Sequence, residues 1–373
     1  MTNTGTLSRL YTGEGGLDFV GRRRLWYSIT GVLLLVCLLA IIFRGFTLGI
    51  DFQGGTKMNM PAGDTETSQV EEVFTQATGV TPQLVQVVGS GDSRILEINS
   101  ERLTDDQINK ARSALFERFQ PKDATGVGDS TVSESWGSTI TYRMLIALGV
   151  FFILIFLYIA FRFERDMAIA ALAALGVDAV VIGGTYALIG FEVSPATIIG
   201  LLTVLAFSLY DTVVVFDKVK ENTAGLLDSR RRTYAEQANL AVNQTVMRSI
   251  STTVISALPI AALMVIAVWL MGVGTLKDLS LVQLIGVIEG TFSSVFLATP
   301  IVVSLKNRQQ KYRAHNKAVA RVRARQEAEG DVDAQDVDDD VDAAASSAHA
   351  TETVAAPRQN TSFGASWRPD RDR

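Results

Sequence analysis

The chain has 373 residues, a formal net charge of -5 and 48% hydrophobic residues, and its mean hydropathy is +0.24. That balance excludes a single water-soluble core, because the apolar residues gather into long runs that polar stretches dilute. The one cysteine, Cys37, excludes an intramolecular disulfide. Both histidines, His315 and His349, fall in the C-terminal tail, and no metal-ligand set, nucleophile–base pair or Walker-type phosphate loop is visible, so no enzyme, metal or cofactor is expected.

Residues 1–24 precede the first apolar run, 25–43, which is too long and too late for a removable signal peptide and is expected to be retained. Five more runs follow at 140–161, 167–190, 194–216, 249–271 and 279–304. Each is near the roughly 20 residues that a helix needs to cross a hydrocarbon core. The predicted fold class is therefore an α-helical polytopic membrane protein with six transmembrane helices. Basic residues cluster beside alternate ends of the runs: Arg22, Arg23 and Arg24; Arg162 and Arg165; Lys218, Lys220 and Arg230 to Arg232; Lys306, Arg308, Lys311 and Arg313. The opposite connectors carry almost none, with only Lys277 in 272–278. By the positive-inside rule both termini are expected in the cytoplasm, as is a loop over 217–248.

Between the first two runs, residues 45–135 are long enough for a small domain outside the membrane. A strand is expected over 50–60, broken by Gly54 and Gly55, whose pairing reads as a bulge or hinge. Ser68 with Glu71 predicts a capped helix to about Thr78. Strands are expected over 82–88 and 94–100 about a turn at 89–92, Thr104 with Gln107 predicts a second capped helix to about Phe119, and a last strand is expected over 130–136. The order βαββαβ is a ferredoxin-like plan.

Three acidic residues lie at membrane depth: Asp178, Asp211 and Glu289. A charge at the bilayer centre costs about 2.5 to 3.5 kcal/mol on insertion scales, so such groups face partners or water rather than lipid. Asp211 is the strongest candidate, with structural hydrogen bonding as its alternative. Arg248, at the start of the fifth run, either acts with it or reaches to the interface. Residues 305–325 are basic and helix-prone, which suits an anionic membrane surface, ribosomal RNA or a merely solvated flank. The acidic stretch 327–342 lacks the glycine and the terminal glutamate of a calcium loop, and 343–373 is expected to form no structure.

Several segments carry a specific resemblance. LGIDFQGGT (48–56), GVDAVVIGG (176–184), LLTVLAFSLYDTVVVFDKVKEN (201–222) and TLKDLSLVQLIGVIEGTFSSVFLATPIVV (275–303) resemble, in order and spacing, the SecD/SecF family of protein-secretion subunits. The small outer region is similar to SecF members rather than SecD members. Departures are Tyr210 where asparagine is usual, Val177 where histidine is common, and WGS at 136–138 where V-G-P is usual. The resemblance implies half of a twelve-span unit of the resistance-nodulation-division kind. It would pair with SecD beside the SecYEG channel, with YajC and YidC as further partners, in the bacterial inner membrane. The unit would use the proton-motive force to draw preproteins outward, with no nucleic acid among its partners. Asp211, Arg248 and Asp178 become the expected ion-coupling residues, while Asp217, Glu221, Asn222, Gly54 and Gly55 become partner or conformational residues. A half-size exporter of a lipid or small solute is the alternative.

Overall fold

A computed structural model describes residues 17–63, 65–89, 91, 94–120, 127–266 and 274–326. Expectations for the first 16 residues, residues 90 and 92 of the 89–92 turn, the end of the fifth run and the 327–342 and 343–373 tail segments lie outside the described residues. Helix α1 spans Arg23–Phe43 and buries only Thr30, Cys37 and Ala40. Val32, Leu35, Ile42 and Phe43 point outward, as expected of a helix whose solvent is hydrocarbon. Gly45, at φ 72°, turns the chain away. A two-residue strand β1 (Thr47–Leu48) leads to α2, a single turn over Ile50–Gln53. The strand expected from residue 50 therefore starts later. Gly54 (φ 80°) reverses the chain after α2, and β2 spans Gly55–Pro61.

The elements α3 (Thr67–Thr78), β3 (Leu84–Val88), β4 (Ile95–Ser100), α4 (Asp105–Phe119) and β5 (Gly128–Val132) complete a βαββαβ order from β2. The sheet runs β3-β4-β2-β5, with every neighbouring pair antiparallel. Met58, Met60, Leu96 and Ile98 line one face and meet Val70 and Phe74 of α3 and Ile108, Ala111 and Leu115 of α4. Here the strand period of two meets the helical period of 3.6. Thr104 and Gln107 form the expected capping box. Ser68 and Glu71 do not: the helix begins two residues earlier, with Glu66 at the N-cap and no side-chain cap bond, so Ser68 already lies inside the first turn. The strand expected to residue 136 ends at Val132, because Ser133 caps the next helix and accepts from Trp136 N at 3.3 Å.

That helix is α5 (Glu134–Arg162), followed by α6 (Arg165–Ile189), which ends on Gly190 at φ 86°. Strand β6 (Glu192–Val193) pairs parallel with β1. Helix α7 (Pro195–Asn222) opens with a Ser194–Thr197 capping box and Pro195 in its first turn, and α8 (Tyr234–Leu263) opens with a Thr233–Glu236 box. These caps carry helix well beyond the apolar runs. The loop expected over 217–248 consequently narrows to 223–233. The last span is α9 (Gly274–Ser293), a π-helical turn over Ser294–Ala298, and α10 (Thr299–Arg308); residues 310–326 are helical again. Among the described residues, six helices are long and apolar enough to cross a membrane.

Helices α7 and α9 pack most intimately, through glycine. Gly286 and Gly290, spaced as G-x-x-x-G, lie against Val204 and Ser208, and a methyl group at Gly290 would sit 2.7 Å from Ser208 Cβ. Close backbone approach of this kind replaces the hydrophobic drive that is missing between helices in lipid. On the periphery, α5 exposes Leu145, Ile153, Phe156 and Phe161, and α8 exposes Val254, Ile255 and Leu258.

Candidate functional site

The tight contact between α7 and α9 brings polar side chains together inside the bundle. Asp211 of α7 is buried. Its Oδ1 accepts from Ser249 Oγ of α8 at 2.7 Å, and its Oδ2 accepts from Ser294 Oγ, the first residue of the π turn. One turn earlier on α7, Ser208 Oγ donates to Oδ2 of Asp178, which α6 supplies and which is 1% exposed. Ser293, beside Ser294, is buried and its Oγ has no hydrogen-bond partner. Serines from three elements thus serve two aspartates: Ser208 holds Asp178, and Ser249 with Ser294 of the π turn holds Asp211. The π turn makes this possible, since widening the helix by one residue re-aims the side chains at its start.

Ser294 Oγ has two acceptors within reach, Asp211 Oδ2 and Thr291 O at 3.0 Å. A hydroxyl carries one proton, so it can satisfy only one of them at a time. With Asp211 ionised, the proton goes to the carboxylate. With Asp211 protonated, the aspartate donates to Ser294 and the serine proton turns to Thr291 O. The site therefore has two internally satisfied arrangements that differ by one proton.

Arg248 does not pair with Asp211. Its guanidinium donates to Tyr210 Oη at 3.3 Å, on the exposed flank of the bundle. The expected direct ion pair fails because Arg248 and Ser249 are consecutive on α8 and point to different sides: the serine turns inward to Asp211 and the arginine outward to Tyr210, itself the neighbour of Asp211. Two rungs, one inside and one outside, thus join α7 to α8.

The remaining predicted residues fall elsewhere. Asp217 forms an ion pair with Arg162 at 2.6 Å, Glu221 one with Lys218 at 2.8 Å, and Asn222 donates to Gln244 at 3.0 Å. Asp217 and Asn222 thereby tie α7 to α5 and α8 within the chain. Gly54 acts where the sheet domain meets α5: a Cβ there would lie 2.9 Å from the Glu134 backbone, and one at Gly137 would lie 2.7 Å from Phe52 O, whereas one at Gly55 would collide with Ser100 O of β4. Nearby, Asn99 donates to Glu192 at 2.9 Å and Lys277 to Gln86 at 2.8 Å, fastening the outward face of the sheet to the bundle's connectors. Burial pushes the Glu192 carboxyl up from its ordinary value, against the pull of Lys57. At the opposite end, buried Lys306 binds Glu164 at 2.5 Å and Asp166 at 3.4 Å. The hydrogen bond from Lys306 holds the Glu164 carboxyl below its usual range.

Sequence reasoning missed Ser208, Ser249, Ser293 and Ser294. Their only signal was position: polar residues inside apolar runs, with S-S just before the end of the last one.

Comparison with known proteins bears on the same regions. Residues 112–308 match the family described as Protein export membrane protein SecD/SecF, C-terminal, and residues 39–66 match the SecD/SecF GG Motif. The chain is 56% identical over 323 residues to protein translocase subunit SecF of Mycobacterium tuberculosis, covering 85% of this chain and 73% of that one. It is 39% identical over 325 residues to SecF of Streptomyces coelicolor, covering 87% and 86%. Among solved structures, the crystal structure of SecDF, a translocon-associated membrane protein from Thermus thermophilus, superposes with a TM-score of 0.68 at 29% identity. The match covers 78% of this chain and 39% of that longer one.

Proposed function

This chain belongs to the SecF family of protein translocase subunits, and on that premise we propose that it couples proton movement at Asp211 to preprotein export. The observation that carries the reading is the buried Asp211 whose serine partners satisfy it in either protonation state. One charge crossing 100 mV is worth about 2.3 kcal/mol, enough to bias two such arrangements. Ser249 holds the same carboxylate from α8 at the residue beside Arg248, so the outer rung to Tyr210 is tied to the inner one. Asp178 extends the same polar seam toward the other end of the bundle.

Relatives in Thermus thermophilus and Bacillus subtilis are named SecDF, single chains of which this sequence matches 40% and 39%. A SecD subunit is accordingly the proposed partner, with Tyr210 and Arg248 on the flank that meets it. SecYEG, YajC and YidC are proposed as further neighbours, with translocating preproteins and membrane lipid. The location is the bacterial inner membrane with both termini inside. The βαββαβ unit, whose sheet order suits a ferredoxin-like domain, then lies on the extracytoplasmic side. In membrane vesicles carrying SecD and the variant chain, Asp211→Asn is expected to co-purify with SecD and to lose the part of export that depends on the proton gradient. Normal gradient-driven export by this variant at wild-type abundance would reduce Asp211 to a structural hydrogen-bonding group.

A further inference from the structure

The stretch that leads into α1 is held by side chains rather than by secondary structure. Phe19 and Val20 are buried, although the helix begins only at Arg23. Asn239 and Asn243, one turn apart on α8, bind the backbone of this stretch. Asn239 Oδ1 accepts from Phe19 N at 2.8 Å and from Val20 N at 3.1 Å, and its Nδ2 donates to Leu17 O at 3.0 Å. Asn243 Oδ1 accepts from Leu17 N at 3.1 Å, and its Nδ2 donates to Leu17 O at 2.9 Å. Asp18 Oδ1 then accepts from Gly21 N at 2.6 Å and turns the chain into α1. On its other side the stretch meets the last span. The Phe19 ring lies 5.4 Å from that of Phe296, and Trp26 of α1 lies 4.2 Å from the same ring. Phe296 belongs to the π turn that Ser294 opens.

The two elements joined in this way are the two that supply the donors of Asp211, because α8 carries Ser249 and the π turn carries Ser294. A hydroxyl donates well only over a narrow range of distance and angle, so the separation of α8 from the π turn decides whether both serines reach one carboxylate. We propose that residues 17–20 form a strap that fixes this separation, with Asn239, Asn243 and Phe19 as positioning residues for the Asp211 site. The clamp grips main-chain atoms, and the aromatic contact of Phe19 supplies the grip on the π turn. The strap's effect on export rests on the proton-coupling reading of Asp211; its effect on the π turn rests on these contacts alone.

The test is amide hydrogen exchange, read by mass spectrometry, on the purified full-length chain in lipid nanodiscs. Asn239→Leu removes the bonds to Phe19, Val20 and Leu17 O without altering the π turn itself. Exchange over Ser294–Ala298 is expected to speed up by about tenfold or more, while exchange over α5 keeps its wild-type rate. Leu17→Pro removes only the N–H given to Asn243 and should give a smaller increase in the same turn. Leu17→Ala should give none, since that side chain is 43% exposed and the clamp holds main chain. The Leu17 pair also serves where Asn239→Leu fails to fold. An unchanged π turn in both Asn239→Leu and Leu17→Pro would overturn the proposal, as would equal acceleration in α5, the mark of a general loss of stability. In vesicles with SecD, Asn239→Leu should slow gradient-driven export several-fold and add no further loss to Ser294→Ala. Additive losses would overturn the claim that the strap acts through Ser294. Normal export by Asp211→Asn would overturn the coupling reading and leave the exchange result, and with it the strap, standing.

Discussion

Asp211 owes its candidate role to what its two oxygens touch. An ionised carboxylate with a hydroxyl donor on each oxygen is held at a depth where an unpartnered one would cost about 2.5 to 3.5 kcal/mol. Hydrogen bonds to charged groups contribute about 1.5 to 3 kcal/mol each. Ser294→Ala should therefore slow gradient-driven export by roughly tenfold or more while leaving the chain folded. Ser294→Thr, which keeps the hydroxyl, should restore most of the rate; equal defects in the two variants would point to packing instead. Because the Asp211 and Arg248 rungs join the same two helices, Asp211→Asn combined with Arg248→Met should be no worse than either alone. Additive losses in the same vesicle assay would mean that the two residues serve separate steps.

At the scale of elements, the α7–α9 contact sets the geometry of the seam. Gly290→Ala places a methyl group 2.7 Å from Ser208 Cβ, and overpacking of this kind costs about 1 to 3 kcal/mol. Gly149→Ala, on the exposed α5 with nothing within 4 Å of its added methyl, is the control. Thermal unfolding in detergent should show a lower midpoint for the first variant alone. The Lys306 latch at the other end gives a pH signature. Because Lys306 lowers the Glu164 carboxyl below its ordinary 4.5, the stabilisation is fully present above that value. It is lost as pH falls through the lower, folded-state value. Lys306→Met should accordingly flatten the acid limb of the unfolding profile without changing its neutral plateau by more than the lost ion pair. An unchanged acid limb would show that Lys306 does not govern Glu164.

At the scale of the whole molecule, the sheet domain is seated on the bundle through polar contacts, Asn99 to Glu192 and Gln86 to Lys277, rather than an apolar core. Burial raises the Glu192 carboxyl, so ionising it opposes docking. That cost appears as pH rises above 4.5 and is relieved as pH falls through the raised, folded-state value. Glu192→Gln keeps an acceptor for Asn99 and should hold the domain docked independently of pH. Cysteines at Gln86 and Lys277 bridged by a short bis-maleimide should cross-link more efficiently at acidic than at neutral pH in the parent chain, and equally at both in the Glu192→Gln background. A pH-dependent yield that persists in that background would place the sensor elsewhere.

The sequence by itself determined what depends on local pattern and on transfer from water. Apolar run length set the six spans, Thr104 with Gln107 set one helix start, the short runs on either side of the 89–92 turn set β3 and β4, and the cost of a charge in lipid singled out Asp211 and Asp178. Caps outside the runs were harder to weigh. Ser133 and Thr233 extended α5 and α8 beyond their apolar cores, and Glu66 displaced Ser68 from the cap it was expected to make. Only the tertiary structure decided which side chains meet. Ser249, Ser294 and Asp211 stand on three helices far apart in sequence, and Arg248 turned outward to Tyr210 although its spacing allowed the inward pair. Helix rotation and crossing are set by glycine contacts and by the π turn that follows α9, which act between elements and leave no periodic trace in any one of them.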